Sequence, residues 1–335
     1  MQKSENKIQT ALTEDTIQQE LNRKATRKEQ ITNFLPYVGI ILLIVFFTIM
    51  TTGKFISLEN LKLLLNQSFT MVIVAVGAAF LYSIGALDMA IGSVMAMSAL
   101  ITTVLYNAQV PLLLSLLAGI LISILAMSIT AFANVYLSIS SFIASLCVMN
   151  ISNGVVLAHR AAMGNTSFPY SQAPWLDKPV TKLIVLIVLI LAGYILFNYT
   201  HFGKSLKAMG GNQRVARISG IRTGLMTFMA YAVMGLVIGI AALFAVVRGG
   251  IADTSIGAGM NLNIMTAVVL GGFPLHGGAN ARFSAPIIGA LMVTVLSNGL
   301  SLMGQANAVG YAVKGILFIV VVALTYEKSN GKLIN

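Results

Sequence analysis

Apolar runs about 20 residues long succeed one another from Ile40 to Tyr326, separated by short joints of Gly, Pro, Asn or charge. A helix of that length crosses about 30 Å of hydrocarbon. Only helices and closed barrels can satisfy every backbone group there. These runs are continuous rather than alternating, so the expected fold class is all-α, a polytopic integral membrane protein. Ten spans are expected, at 35–52, 63–82, 90–106, 111–132, 141–159, 180–198, 224–247, 263–273, 284–303 and 307–326. The run at 263–273 is too short to cross alone and is expected to be extended or re-entrant.

Composition supports this reading. Of 335 residues, 57% are hydrophobic and 9% charged, where a soluble domain carries about 25% charged residues. Five of the ten acids lie in the first 29 residues. The net charge of +11 belongs to cytoplasmic loops and helix ends, not to a nucleic-acid site. Residues 1–34 hold six basic residues, and 199–222 hold five with no acid. Both are expected inside, and the six spans between them agree. The chain then reads as a cytoplasmic tail (1–34), a membrane domain (35–326) and a cytoplasmic C-terminal tail (327–335). The polar start gives no secretory signal peptide, and the tail is read as solvated. The loop 160–179, with Pro169, Pro174, Trp175, Asp177 and Pro179, is expected outside. Cys147, the one cysteine, is read as a free core thiol. Lys314 is placed to snorkel from the last span.

The stretch "GKSLKAMGGNQRVARISGIR" (203–222) concentrates basic charge in one loop. Gly210 and Gly211 are expected to free the backbone for a turn. Asn212 suits an N-cap, "QRVARIS" about two helical turns, and Gly220 a left-handed helix end. Val215 and Ile218 share one face, with Arg214 and Arg217 on the next. Such a knob docks on a protein partner or lies on anionic lipid; spacing alone leaves both open.

This stretch resembles the "FGR-x-x-x-A-x-GGN-x-x-AA-x-x-SGI" signature of the permease subunits of bacterial ATP-binding-cassette sugar importers, the ribose, xylose, galactose and autoinducer-2 class. Three other stretches resemble that family in order: "GALDMAIGSVMAMSAL" (85–100), "SSFIASLCVMNISNG" (140–154) and "NIMTAVVLGGFPLHGG" (263–278). The resemblance covers roughly 85–330 and implies interrupted or re-entrant helices of the type II importer kind. It implies that 210–221 is a coupling helix seated on a separate ATPase subunit, with Ala216 small enough for close approach. No "GxxxxGK[ST]" phosphate loop occurs in the chain, so no ATPase site of its own, catalytic residue, cofactor or metal is expected.

Candidates for the solute path are Asp88, Asn150, Asn153, Asn261, Asn263 and Asn298. Asp88 either caps the next span from its aqueous edge or faces a watery cavity. The amides are either interhelix glue or hydrogen-bonding groups for a polyhydroxylated solute. The glycine-broken stretches 85–92 and 270–286 give one interruption in each half of the chain, a pattern that marks transport paths in carriers with repeats. His159, His201 and His276 are read as plain surface residues. The sequence departs from the family where the latter often has Arg at Asn153 and acids at Asn261 and Asn263.

The expected function is the permease subunit of an ATP-driven importer in a bacterial plasma membrane, with both termini cytoplasmic. Implied partners are ATPase subunits, an extracytoplasmic solute-binding protein, membrane lipid and a second permease subunit, identical or homologous. The solute is a pentose, hexose or related polyol, with a nucleoside or autoinducer-2-like furanosyl compound as the alternative. An ion-coupled carrier would need carboxylates in its spans, where only Asp88 qualifies. A membrane-embedded enzyme would need a clustered Ser/His/Asp or paired carboxylates there, and none is visible.

Overall fold

The computed structural model describes residues 36–169, 173–274 and 276–304, with 310, 312, 313, 315, 316 and 319 beyond them. Both tails, Lys314 and most of the 307–326 span lie outside the described residues. The helices are α1 (Pro36–Met50), α2 (Leu58–Ser83), α3 (Ile91–Asn107), α4 (Leu112–Tyr136), α5 (Ser141–Met163), α6 (Pro179–Asn198), α7 (His201–Gly211), α8 (Gln213–Ile218), α9 (Thr223–Gly249), α10 (Met260–Leu270) and α11 (Ser284–Leu302). Six of them, α2, α4, α5, α6, α9 and α11, are long and apolar enough to cross a membrane.

Local chemistry sets the ends. The Ser57 hydroxyl accepts the Asn60 backbone N–H at the start of α2. Pro179 occupies the first turn of α6, where its missing N–H costs nothing. Gly250 closes α9 in a left-handed conformation, φ +77. The chain around it forms a two-residue ladder: β1 (Thr166–Ser167) pairs antiparallel with β2 (Ile251–Ala252). At the other end of α9 lie α7 and α8. With 27 residues at about 1.5 Å each, α9 separates these two ends by about 40 Å.

Helices α2 and α9 form the centre, with 72% and 78% of their most apolar windows buried, against 17% for α6 and 28% for α4 and α5. The outer helices turn Leu121, Leu125, Leu183 and Val188 outward, as lipid-facing surfaces require. Lipid is as apolar as these side chains, so helices associate through close packing and polar contacts rather than hydrophobic burial. Gly235 and Gly239, four apart on α9, bring that helix onto α4: a Cβ at either would lie 2.6–2.7 Å from Ile124 Cα or Ile120 Cα. Ser123 donates to Gly235 O at 2.7 Å across the same contact.

The sequence-based spans from 35–52 to 284–303 coincide with helices to within a few residues. The 263–273 run becomes α10, 11 residues long. That is about 16 Å of helix, half a bilayer. The described residues of 271–283 after it form no regular helix. The reading of Cys147 as a core thiol fails. Cys147 is exposed on α5, because α5 is a peripheral helix and Cys147 shares its outward stripe with Ile143 and Ile151, while Ala144 and Val148 face the protein.

Gly210 and Gly211 also depart from expectation. They are the last two residues of α7, and the chain turns at Asn212, whose φ of −161 and ψ of 106 are extended. Gly210 serves packing instead: a Cβ there would lie 1.9 Å from Ser83 O and 2.4 Å from Gly278 N, whereas Gly211 has open space. Gly210→Ala is therefore expected to lower the thermal unfolding midpoint of the detergent-purified protein. Gly211→Ala should leave it unchanged or raise it slightly, since helical Ala is favoured over Gly by about 1 kcal/mol.

Candidate functional site

A cleft of about 320 Å³ lies where three elements meet. The lead-in and first turn of α3 contribute Met89, Gly92 and Ser93; α5 contributes Met149, Asn153 and Leu157; the approach to α10 and its first turn contribute Thr254, Gly257–Gly259 and Asn261. The α5 residues are spaced by four, so they form one stripe on the helix. Two broken segments touch across the cleft. A Cβ at Gly92 would lie 2.2 Å from Gly257 O, and one at Gly257 only 1.8 Å from Gly92 O. Both positions need glycine for this approach.

The lining mixes polar and apolar side chains and carries no charge. Asn153 and Asn261 are half-buried. Asn261 Nδ2 lies 3.7 Å from Met89 Sδ, and Ser93 donates to Ala90 O at 2.9 Å. Ser145 on α5 accepts the Met89 backbone N–H at 3.0 Å, tying the α3 lead-in to α5. Sequence reasoning missed Met89, Ser93, Met149, Leu157 and Thr254. The four-residue stripe through Asn153 was the available signal for Met149 and Leu157.

Asp88 is next to Met89 but does not line the cleft. It is 2% exposed. Oδ1 accepts the Ala90 N–H at 2.7 Å, and Oδ2 has no partner among the described residues. This is an Asx turn leading into α3, whose own N-cap, Ala90, has no side-chain cap, and it sets the carboxyl near the positive end of that helix. It is not made from an aqueous edge, because the break between α2 and α3 is folded inside the bundle.

The other amides separate. Asn150 is exposed and donates to Leu146 O of its own helix at 2.8 Å. Asn263 is half-buried on α10, beyond the cleft lining. Asn298 is 1% exposed and exchanges two 2.9 Å hydrogen bonds with Asn60, which also donates to Phe55 O at 2.7 Å. This pair joins α2 to α11 as glue, away from the cleft.

A second site is the α7–α8 segment. The Asn212 side chain accepts from Arg214 N at 3.0 Å and Val215 N at 3.1 Å, the expected cap. Gly220 N donates to Arg217 O and Ile221 N to Ala216 O, each at 3.1 Å, with Gly220 at φ +85. These are the two bonds of a Schellman end. Val215 and Ile218 are 57% and 81% exposed, whereas Ala216 is 4% exposed. The methyl of Ala216 faces the protein itself, so the outward surface is made by Val215, Ile218, Arg214 and Arg217. Behind it, Lys207 donates to Asn198 Oδ1 at 3.1 Å and lies 4.3 Å from the Phe197 ring centre. Partial burial there lowers its amine below the ordinary lysine value.

His276 is exposed and enters the fold through its backbone, whose carbonyl lies 2.9 Å from where a Cβ at Gly85 would be. His159 pairs with Thr166 Oγ1 at 2.9 Å and His201 with Ser205 Oγ at 3.2 Å.

The Asn60–Asn298 pair yields a prediction. Asn298→Leu strands a buried amide and should cost about 1–3 kcal/mol of stability. Adding Asn60→Leu should recover much of it, and thermal unfolding of the three variants checks this.

Comparison with known proteins bears on these two sites. The family model described as "Branched-chain amino acid transport system / permease component" matches residues 60–322. The chain is 27% identical over 300 residues to the ribose import permease protein RbsC of Escherichia coli (strain K12), covering 87% of this chain and 93% of the relative. It is 28% identical over 285 residues to the L-arabinose transport system permease protein AraH of the same strain, covering 84% and 85%. It is also 28% identical over 275 residues to the autoinducer 2 import system permease protein LsrD of Yersinia enterocolitica, covering 78% and 82%. No solved structure gives a significant match.

Proposed function

Since this multi-pass chain belongs to the family of branched-chain amino acid transport system permease components, we propose that it is the membrane-spanning subunit of an ATP-driven importer for a monosaccharide or a related furanosyl solute. The observation that carries this reading is the uncharged, amide-bearing cleft at the meeting of two broken helices. An amino acid passenger would bring an ammonium and a carboxylate, and buried charges need partners; the cleft lining has none to offer. A sugar brings hydroxyls, which amides and hydroxyls match without charge. The relatives named for ribose, arabinose and autoinducer 2 support the same class.

In this reading Asn153 and Asn261 line the path. Asn298 and Asp88 hold its walls. A solute-binding protein delivers the passenger at the β1–β2 end, and a second permease subunit covers the face of α5 that exposes Ile143, Cys147 and Ile151. The α7–α8 end faces the cytoplasm of a bacterium, together with both termini. There a separate ATPase subunit binds the outward surface of α8. ATP-driven closure of the ATPase pair moves α7–α8, and the bundle alternates between outward and inward access.

The test is copurification and uptake. The tagged permease, co-expressed with its ATPase and binding protein, should retain the ATPase and take up D-ribose or L-arabinose in ATP-loaded proteoliposomes. Ile218→Asp should release the ATPase while leaving the permease folded, since it places a charge in an apolar contact. Arg214→Ala and Arg217→Ala should have smaller effects, because exposed ion pairs contribute little. Full ATPase retention by Ile218→Asp would remove the coupling assignment and leave α8 as a lipid-surface helix. Ala216→Trp reports on folding instead, because that methyl is turned inward.

A further inference from the structure

Among the described residues the Asn261 amide has one hydrogen-bond partner, the Met89 sulfur at 3.7 Å. A thioether is a weak acceptor. An amide donor gains more from an oxygen than from a thioether. Among the described residues none of the other polar side chains of the cleft, Ser93, Asn153 and Thr254, hydrogen-bonds to it; Ser93 is turned to Ala90 O. The contact joins the lead-in to α3 with the first turn of α10, the two segments whose backbones touch at Gly92 and Gly257. It therefore sits at the seam of the cleft. Met89 is unbranched and flexible, so its sulfur can swing aside at small cost, while the Asn261 backbone is fixed in a helix.

We propose that the Met89 sulfur is a placeholder, and that a hydroxyl of the passenger replaces it on the Asn261 amide as the solute enters the cleft. Asn261 is then a specificity-determining residue, offering two donors and one acceptor to a hydroxyl-bearing ring. Met89, displaced, offers its apolar flank to the C–H face of the same ring. This rests on the proposed transport of a sugar through the cleft.

The test is uptake of radiolabelled D-ribose and of its monodeoxy counterparts by the complete complex in proteoliposomes, with one binding protein throughout. Wild type, Asn261→Leu and Met89→Leu are compared by the ratio of ribose uptake to deoxy-sugar uptake. Comparing ratios between variants cancels the preference of the binding protein. For one monodeoxy sugar the ratio should fall roughly 2- to 13-fold in Asn261→Leu, the range of one neutral hydrogen bond, and should hold in Met89→Leu, which keeps the amide. Asn261→Ala gives the same comparison if the leucine variant fails to assemble. Unchanged ratios in the Asn261 variants, with ribose still moving, would overturn the inference and leave the transport reading intact. So would an equal fall in Met89→Leu, which would make the pair a packing contact. If the wild type moves L-arabinose and not ribose, the same ratios are read with arabinose and its monodeoxy counterparts; failure to move ribose, arabinose and autoinducer 2 alike, with an assembled and ATP-hydrolysing complex, would overturn both.

Discussion

The carbonyl of Ser83, the last residue of α2, accepts a hydrogen bond from Gly278 N at 3.1 Å and occupies the space that a Cβ at Gly210 or Gly277 would need, 1.9–2.0 Å away. Ser83 is fully buried, and a helix-terminal carbonyl there must find a donor. The donor comes from the second broken stretch, and glycine lets α7 and that stretch come close enough to enclose it. Three parts of the chain, more than 60 residues apart in sequence, are locked backbone to backbone. No flexible side chain lies between Gly210 and Ser83 to absorb a displacement. A shift of α7 must therefore move the end of α2 or the 271–283 stretch, or break the contact.

The same device recurs at the cleft with a different result. Gly92 and Gly257 let two broken segments touch, and that contact fixes the wall from which Met89, Ser93 and Asn261 project. Half-helices end inside the bundle here, so their terminal backbone groups must be satisfied by protein or water. Asp88 meets part of that need at the start of α3 through Ala90. Its carboxyl stands behind the cleft rather than in it. The lining facing the passenger is left neutral, which suits a solute that carries hydroxyls and no ions.

Span positions, the half-length of α10, the Asn212 cap and the left-handed Gly220 were legible in the sequence, because each follows from a local rule of length, hydropathy or backbone conformation. What was not legible depended on which helices lie outside. The run holding Cys147 reads like core, yet α5 is peripheral, and hydropathy cannot tell lipid from protein interior. Gly210 and Gly211 read as a turn because glycine marks turns locally; Gly210 is needed for Ser83, which is 127 positions away in the chain. The five asparagines among the path candidates were equal in sequence. Only packing divides them, sending Asn298 to Asn60, Asn150 to its own helix, and Asn153 and Asn261 to the cleft. Met89, apolar by type, carried no signal that it would be the partner of a polar group.

The division of the asparagines has a physical reason beyond placement. An amide buried between helices is stable when it is fully matched, and Asn60 and Asn298 match each other in both directions while Asn60 also reaches Phe55 O. Asn60 spends both of its donors there, and both amides are buried out of a solute's reach. An amide that serves a path must be the opposite, held in place but incompletely matched, so that exchange with the solute costs little. Asn261, carried on the first turn of a half-helix and paired to a thioether, meets that condition. A membrane protein therefore separates the two uses of the same side chain by the quality of the partner, and the partner is set by which backbone the neighbouring glycines allow to approach.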